Sequence, residues 1–290
     1  MMGIFSSSNS VTALGLPHGR EARSMNTPFM LHQGTSPVIL AFPHTGTEVP
    51  PAIWDRLDDN GRIFADTDWH IHTLYAGLLE NATTVRATFH RYVIDANRDP
   101  AGVSLYPGQN TTGLVPETDF DGKPIWKTGA EPNEADIAHR LETFHAPYHA
   151  ALAAEIERVK SIHGIAILYD CHSIRSHIPF LFEGKLPDFN IGTDMGKTCD
   201  PAIEKIAVEV TAAAQGYDSI LNGRFKGGWT TRHYGKPQTG VHAIQMELAQ
   251  STHLQNEHPP FAYDTGKAER LRTHLKTILT RMEKFALDTK

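Results

Sequence analysis

The chain has 290 residues, 40% of them hydrophobic, enough to bury a sizeable core as one large α/β domain. A formal charge of −6 and a pI near 6.3 argue against a nucleic-acid-binding protein, which carries a basic face. Two cysteines, Cys171 and Cys199, are too few for a disulfide framework and suit a reducing compartment, so a cytoplasmic location is expected; no apolar run approaches the roughly 20 residues needed to cross a bilayer, and no membrane partner is expected.

Residues 1–35 lack the basic and apolar regions of a secretory signal, and read as a poorly ordered leader to a single α/β domain over 36–290. The first apolar run, "PVILAFPHTG", predicts a strand over Pro37–Phe42 that delivers His44 at its end. In "DTDWHIHTLYAGLL", Ile71, Leu74, Tyr75 and Leu78 have helical spacing, which places Asp68 in the first turn and makes Asp66 a candidate N-cap. "YVIDANRDP" predicts a strand over Tyr92–Ala96 ending in Asn97 and Arg98. From Asp99 to Pro132 the chain is rich in Gly, Pro, Asp and Thr, and a loop so long within a domain is usually functional.

Helical periodicity is strongest over Glu134–Ile162, with Ile137, Leu141, Phe144, Tyr148, Leu152, Ile156 and Val159 near one stripe and Gly164 as the stop. A strand over Ile165–Tyr169 follows, and "ILYDCHSIRS" changes abruptly from aliphatics to Asp170, Cys171, His172 and, just beyond, Arg175. Asp200 is the predicted N-cap of a further helix. A second loop over Asn222–Gly240 carries Arg224, Lys226, Arg232 and His233. The last strand, Val241–Leu248, holds Glu247 inside an apolar run, and a helix over Gly266–Leu287 closes the chain. Strands apolar on both faces, alternating with helices, predict a three-layer α/β sandwich around a mixed, mainly parallel sheet.

Ligands collect beyond the carboxyl ends of such strands. His44 and His172 stand there, and two histidines with one carboxylate and an open fourth position describe a catalytic site for one divalent metal, Zn2+. Asp68 is the preferred acidic ligand, with Asp66 and Glu48 as alternatives. A single histidine after a strand is more often structural, so it is the combination with an acid that points to a metal. Cys171 neighbours His172, but adjacent strand residues face opposite ways, which argues against a thiol nucleophile. A buried carboxylate costs several kcal/mol without a partner, so Glu247 is read as a general base beside activated water, with a salt bridge to an arginine as the structural alternative. Arg98, Arg224, Lys226 and Arg232 suit an acidic small molecule.

The motifs "FPHTG", "DTDWHIHTLYA", "FHRYVIDANRD", "LYPGQNTTGL", "YDCHSIRS", "LPDFNIGT", "NGRFKGGWTTRHYG" and "QMELAQ", in this order between about Pro37 and Gln250, resemble the N-formylglutamate amidohydrolase family. The resemblance implies a zinc-exopeptidase-like fold, similar to the carboxypeptidase and aspartoacylase group, and hydrolysis of N-formyl-L-glutamate to formate and L-glutamate in histidine degradation. It maps His44 and His172 onto metal ligands, Glu247 onto the general base, and Asn97 with Arg98 onto a pair that grips a substrate carboxylate. Carboxypeptidases place a glutamate three residues after the first histidine, where this chain has Thr47. In this scheme Arg175 assists the oxyanion, and Arg98 with Arg224, Lys226 or Arg232 holds the two carboxylates. A hydrolase of another N-acyl acidic amino acid and a non-catalytic dicarboxylate-binding protein are the alternatives; the sequence leaves the oligomeric state open.

Overall fold

The computed structural model describes residues 27–105 and 108–289. Its strands are Phe29–His32 (β1), Val38–Phe42 (β2), Thr83–Ala87 (β3), Ala166–Ile174 (β4), Phe189–Gly192 (β5), Ser219–Leu221 (β6) and Val241–Ala249 (β7). They form one sheet in the order β1-β3-β2-β4-β7-β5-β6. The middle four, β3, β2, β4 and β7, are parallel; β1 joins antiparallel at one edge, and β5 runs antiparallel to β7 with β6 parallel to it at the other. The sheet is therefore mixed and mainly parallel, as the sequence predicts. The helices are Pro51–Trp54 (α1), Ile71–Tyr75 (α2), Glu134–Arg140 (α3), Ala146–His163 (α4), Pro201–Ala212 (α5), Trp229–Tyr234 (α6) and Thr265–Asp288 (α7). No helix among the described residues is long and apolar enough to cross a membrane.

Side-chain alternation divides the core into two layers. Val38, Leu40 and Phe42 of β2, Ile167, Tyr169 and Cys171 of β4, and Ile244, Met246 and Leu248 of β7 pack against α2, α5 and α7. The opposite face presents Ile39, Ala41, Ala166, Leu168, Val241 and Ala243 to Tyr148, Leu152, Ile156 and Val159 of α4. On that second face β4 and β7 change character halfway along. Beyond Leu168 and Ala243 the next residues facing the same way are Asp170 and His172, and Gln245 and Glu247. The first half of each strand thus anchors α4, and the second half is polar.

The helix ends follow local chemistry. Asp200 caps α5 through the Ala202 N–H at 2.8 Å, with Pro201 at the first helical position. Gly164, at φ 78°, ends α4 and donates its N–H to Lys160 O at 2.7 Å.

Five sequence expectations need correction, the first being the loop over Asn222–Gly240, which carries helix α6. Phe29–His32, assigned to the leader, is the edge strand β1; residues 1–26 lie outside the described residues. Tyr92–Ala96 is not a strand: Val93 N–H closes a turn on His90 O at 2.8 Å, and the run is apolar because Tyr92, Val93, Ile94 and Ala96 thread the core. The helix predicted over Glu134–Ile162 is interrupted by a π turn over Leu141–His145, in which Ala146 N–H reaches back to Leu141 O. Pro147 has no N–H to give to the carbonyl four residues earlier, and the wider turn accommodates that loss. Asp68 is not in a helical turn, since His70 is left-handed at φ 60° and α2 starts only after it; the Asp68 N–H instead donates to His44 O at 3.1 Å.

Candidate active site

His44, two residues beyond the end of β2, and His172, within β4, reach the same point from neighbouring strands. Their rings stand 4.9 Å apart. The Asp68 carboxylate lies between them, with Oδ2 3.0 Å from His172 Nδ1 and 3.7 Å from His44 Nδ1. One ligand atom from each of the three residues falls within 4.8 Å of the other two, and all three are buried.

The outer nitrogens of the rings are also held. His44 Nε2 donates to Asp95 Oδ1 at 2.7 Å, and His172 Nε2 lies 3.2 Å from Asp170 Oδ1. At His44 the Asp95 carboxylate fixes the hydrogen on Nε2 and leaves Nδ1 as the lone-pair donor, which is how ligating imidazoles are oriented; His172 Nε2 lies between Asp170 Oδ1 and Asn97 Nδ2, both at 3.2 Å. Asp95 is itself held by Arg91 Nη2 at 2.6 Å, with Arg98 Nη1 at 3.7 Å. Burial alone would raise the Asp95 carboxyl, but these two guanidinium groups hold it well below the usual carboxylate range. Asp68 is likewise buried and would rise, yet the two imidazoles beside it, His172 and His44, keep it low and ionised. Two nitrogens and one ionised oxygen, converging and facing a cavity, fit a divalent ion of borderline softness.

Glu247 completes this floor. It pairs in register with His172 across the β4–β7 ladder, as Gln245 pairs with Asp170. Gln245 Nε2 donates to Glu247 Oε2 at 3.1 Å, while its Oε1 accepts Gly228 N–H at 2.6 Å. Burial pushes the Glu247 carboxyl up to about 8; the neighbouring Asp68 and Asp170 charges add to the rise, and His172 and Arg91 oppose it.

A cavity of about 70 Å³ opens over this floor, lined among others by Arg91, Asn97, Arg98, Thr111, Phe120 and Arg224. Asn97 is fixed from α6, whose Thr230 N–H donates to Asn97 Oδ1 at 2.8 Å. Gly228 is needed beside it: a Cβ there would stand 2.3 Å from Asn97 Nδ2. Arg98 is steadied by Thr112 O at 2.9 Å and Thr112 Oγ1 at 3.1 Å, and Arg224 by Leu181 O and Asn110 O.

The structure thus brings together His44, Asp68, His172, Glu247, Asn97, Arg98 and Arg224. It places the other candidates elsewhere. Arg175 turns away to Asp121 Oδ2 at 3.1 Å and stands 3.8 Å from Asp66, so it is not a wall of the cavity. Arg232 donates to Gly227 O at 2.9 Å and pairs with Asp194 at 3.4 Å, and Lys226 also lies outside the cavity lining. Of the alternative acids, Asp66 is neither ligand nor cap: it accepts Tyr92 Oη at 2.8 Å and Phe120 N–H at 2.9 Å. Glu48 is exposed and its backbone bridges Phe89. Cys171 points into the opposite layer, where burial raises its thiol well above the ordinary range.

Sequence reading did not single out Arg91, Asp95 or Gln245, nor settle the role of Asp170. A signal existed for three of them. Asp95 interrupts an apolar run just as Glu247 does, and Asp170 and Gln245 each precede a site residue by two positions on a strand, hence share its face.

A sequence model of the N-formylglutamate amidohydrolase family matches residues 36–254. The chain is 45% identical to the N-formylglutamate deformylase of Pseudomonas aeruginosa, covering 88% of this chain and 96% of that protein, and 45% identical to its namesake from Pseudomonas putida, covering 88% and 95%. Its fold is similar to the crystal structure of N-formylglutamate amidohydrolase from Ralstonia eutropha JMP134, with a TM-score of 0.75 over 91% of this chain and 100% of that one at 23% identity. From its own matched length and its curated relatives, this chain belongs to the N-formylglutamate amidohydrolase family.

Proposed function

We propose that this protein hydrolyses N-formyl-L-glutamate to formate and L-glutamate, with one divalent metal ion, zinc, held by His44 Nδ1, His172 Nδ1 and Asp68. The observation that carries this reading is the convergence of those three ligand atoms beside a buried glutamate and under two arginines. The two Pseudomonas relatives, named for the same substrate, support it.

When bound, a divalent ion supplies Lewis acidity that polarises the formyl carbonyl and makes water a nucleophile near neutral pH. The chain supplies the rest. Glu247 takes the proton from the attacking water as its oxygen bonds to the formyl carbon, and returns it to the nitrogen as the C–N bond breaks, so the amino acid leaves as a neutral amine. Burial raises its affinity for the proton, and a cation bound at His44, Asp68 and His172 would favour the ionised form that accepts one. Gln245 keeps the carboxylate aimed from one side. Arg91, 4.0 Å from Asp68 and stacked 4.7 Å over Phe120, is the buried cation of the floor and is assigned, in place of Arg175, to charge on the carbonyl oxygen. Asn97, Arg98 and Arg224, all in the cavity lining, are assigned to the two substrate carboxylates.

The same machinery would serve another N-acyl acidic amino acid. Steady-state kinetics across formyl, acetyl and succinyl derivatives of glutamate and aspartate test the assignment. A kcat/KM highest for N-formyl-L-glutamate supports it; a preference for a larger acyl group removes it.

A further inference from the structure

The π turn over Leu141–His145 plays no part in the chemistry above, yet it brings two imidazoles against the back of the site. His145 and His149 stand side by side, ring centroids 4.4 Å apart, and both are buried. His149 Nε2 is 2.7 Å from Ala96 O, and His145 Nε2 is 3.1 Å from Arg98 O. These carbonyls flank Asn97, whose side chain is held separately by Thr230 N–H. A carbonyl only accepts, so each Nε2 carries its hydrogen, and His149 Nδ1 is left to face the Tyr234 hydroxyl at 3.0 Å. Trp229, next to Thr230, packs edge-on against His149 at 4.8 Å, so the helix carrying the third hold leans on the same imidazole.

We propose that His145 and His149 are positioning residues for substrate binding: they pin the backbone on both sides of Asn97 so that Asn97 and Arg98 face the substrate carboxylate, a role that rests on the carboxylate grip assigned to that pair. Neither imidazole lines the cavity, so they act through Asn97 and Arg98 alone. Two features support it: the two bonds bracket a single residue, and both imidazoles are buried, which favours the neutral form that donates from Nε2.

The test is steady-state kinetics of the metal-loaded enzyme on N-formyl-L-glutamate for His149→Ala, His145→Ala, Arg98→Ala and the double variant His149→Ala/Arg98→Ala, with His149→Gln as the conservative exchange that still has an N–H to give. Loss of one such bond is expected to raise KM about tenfold in His149→Ala with kcat within about twofold, and His149→Gln to recover most of it. In the Arg98→Ala background the same exchange is expected to raise KM by a smaller factor than in the wild type, because part of its effect passes through Arg98 and the rest through Asn97. An equal factor in both backgrounds means general destabilisation and overturns the proposal. An unchanged KM in folded His149→Ala beside a raised one in Arg98→Ala overturns the proposal alone; an unchanged KM in Arg98→Ala overturns the carboxylate grip and the proposal with it. Should the alanine variants fail to fold, nitrogen-15 spectra of the wild-type imidazoles decide: Nε2–H in both rings is the expected result, and Nδ1–H in His149 contradicts the assignment.

Discussion

His172 and Glu247 stand directly opposite each other across the parallel β4–β7 ladder, so the second histidine and the buried acid are positioned by the same pair of central strands. A shift of one residue in that register would turn one of them into the opposite layer of the core. Such placement suits a proton carrier that must stay beside the reaction without being a ligand. Glu247→Gln keeps the shape and the metal but cannot carry a proton, and kcat is expected to fall by roughly 10²–10⁴. Metal content and kcat measured on the same preparation check this; near-normal kcat would remove Glu247 from the chemistry.

Removal of a ligand has a different signature. In His172→Ala the Asp68 carboxylate keeps only one of its two imidazoles, His44, and the site is expected to lose its metal. Wild-type protein stripped by a chelator is expected to melt at a lower temperature and to recover on addition of zinc, because a ligand bound only by the folded state stabilises it. The melting temperature of His172→Ala is expected not to respond to zinc, which thermal melts with and without the ion will show.

Asp95 touches no substrate in this account and is still expected to govern metal affinity. It receives the His44 Nε2 hydrogen and is tied to Arg91 and Arg98. Asp95→Asn weakens the acceptor without changing its size, and zinc affinity is expected to drop about 10–100-fold, as for other carboxylates behind a ligating histidine. Competition with a chelator of known affinity measures the change.

Arg224 lines the same cavity as His44, Asp68 and His172 and is assigned to a substrate carboxylate. A cation built for a charged group penalises its neutral isostere, so the wild-type enzyme is expected to favour N-formyl-L-glutamate strongly over N-formyl-L-glutamine. Arg224→Ala is expected to shrink that ratio of kcat/KM by about tenfold or more. An unchanged ratio would assign the side-chain carboxylate to another cation.

One pH effect concerns stability alone. His253 is fully buried with Nε2 3.0 Å from Trp69 O, and burial pushes it down from 6.5 to about 4. The unfolded chain gains a proton there as pH falls through 6.5 while the folded chain does not, so stability present above 6.5 is lost on acidification. Between about pH 7 and about pH 5 this one site is expected to remove about 2 kcal/mol. Urea unfolding of wild type and His253→Gln across that range isolates the term, because other titrating groups cancel in the difference.

The site residues legible in the sequence were those that break a local pattern. His44 follows a run of aliphatics, His172 and Glu247 interrupt two nine-residue buried strands, and Asn97 with Arg98 ends an apolar stretch. What decided among Asp66, Asp68 and Glu48 was not local: the left-handed His70 and the Asp68 N–H bond to His44 O turn Asp68 to the metal side, while Tyr92 and Phe120 claim Asp66. Arg175, Arg232 and Lys226 are candidates by their charge and their place in the chain, and neither shows where the side chain goes. For the two arginines, long side chains follow carboxylates, and Asp121 and Asp194 lie 54 and 38 positions away in the chain, outside any local window. The short strands β5 and β6 carry little periodic signal, and β6 is exposed throughout, so their pairing was invisible before the sheet was.

The central claim is that His44, Asp68 and His172 hold one catalytic metal within reach of Glu247. Anomalous diffraction at the zinc edge from crystals of the metal-loaded enzyme, with activity measured on the same sample, tests it most directly. The account predicts a single peak at coordination distance from His44 Nδ1, His172 Nδ1 and an Asp68 oxygen, in protein that loses turnover when stripped. A peak elsewhere, or full turnover in stripped protein, would contradict it.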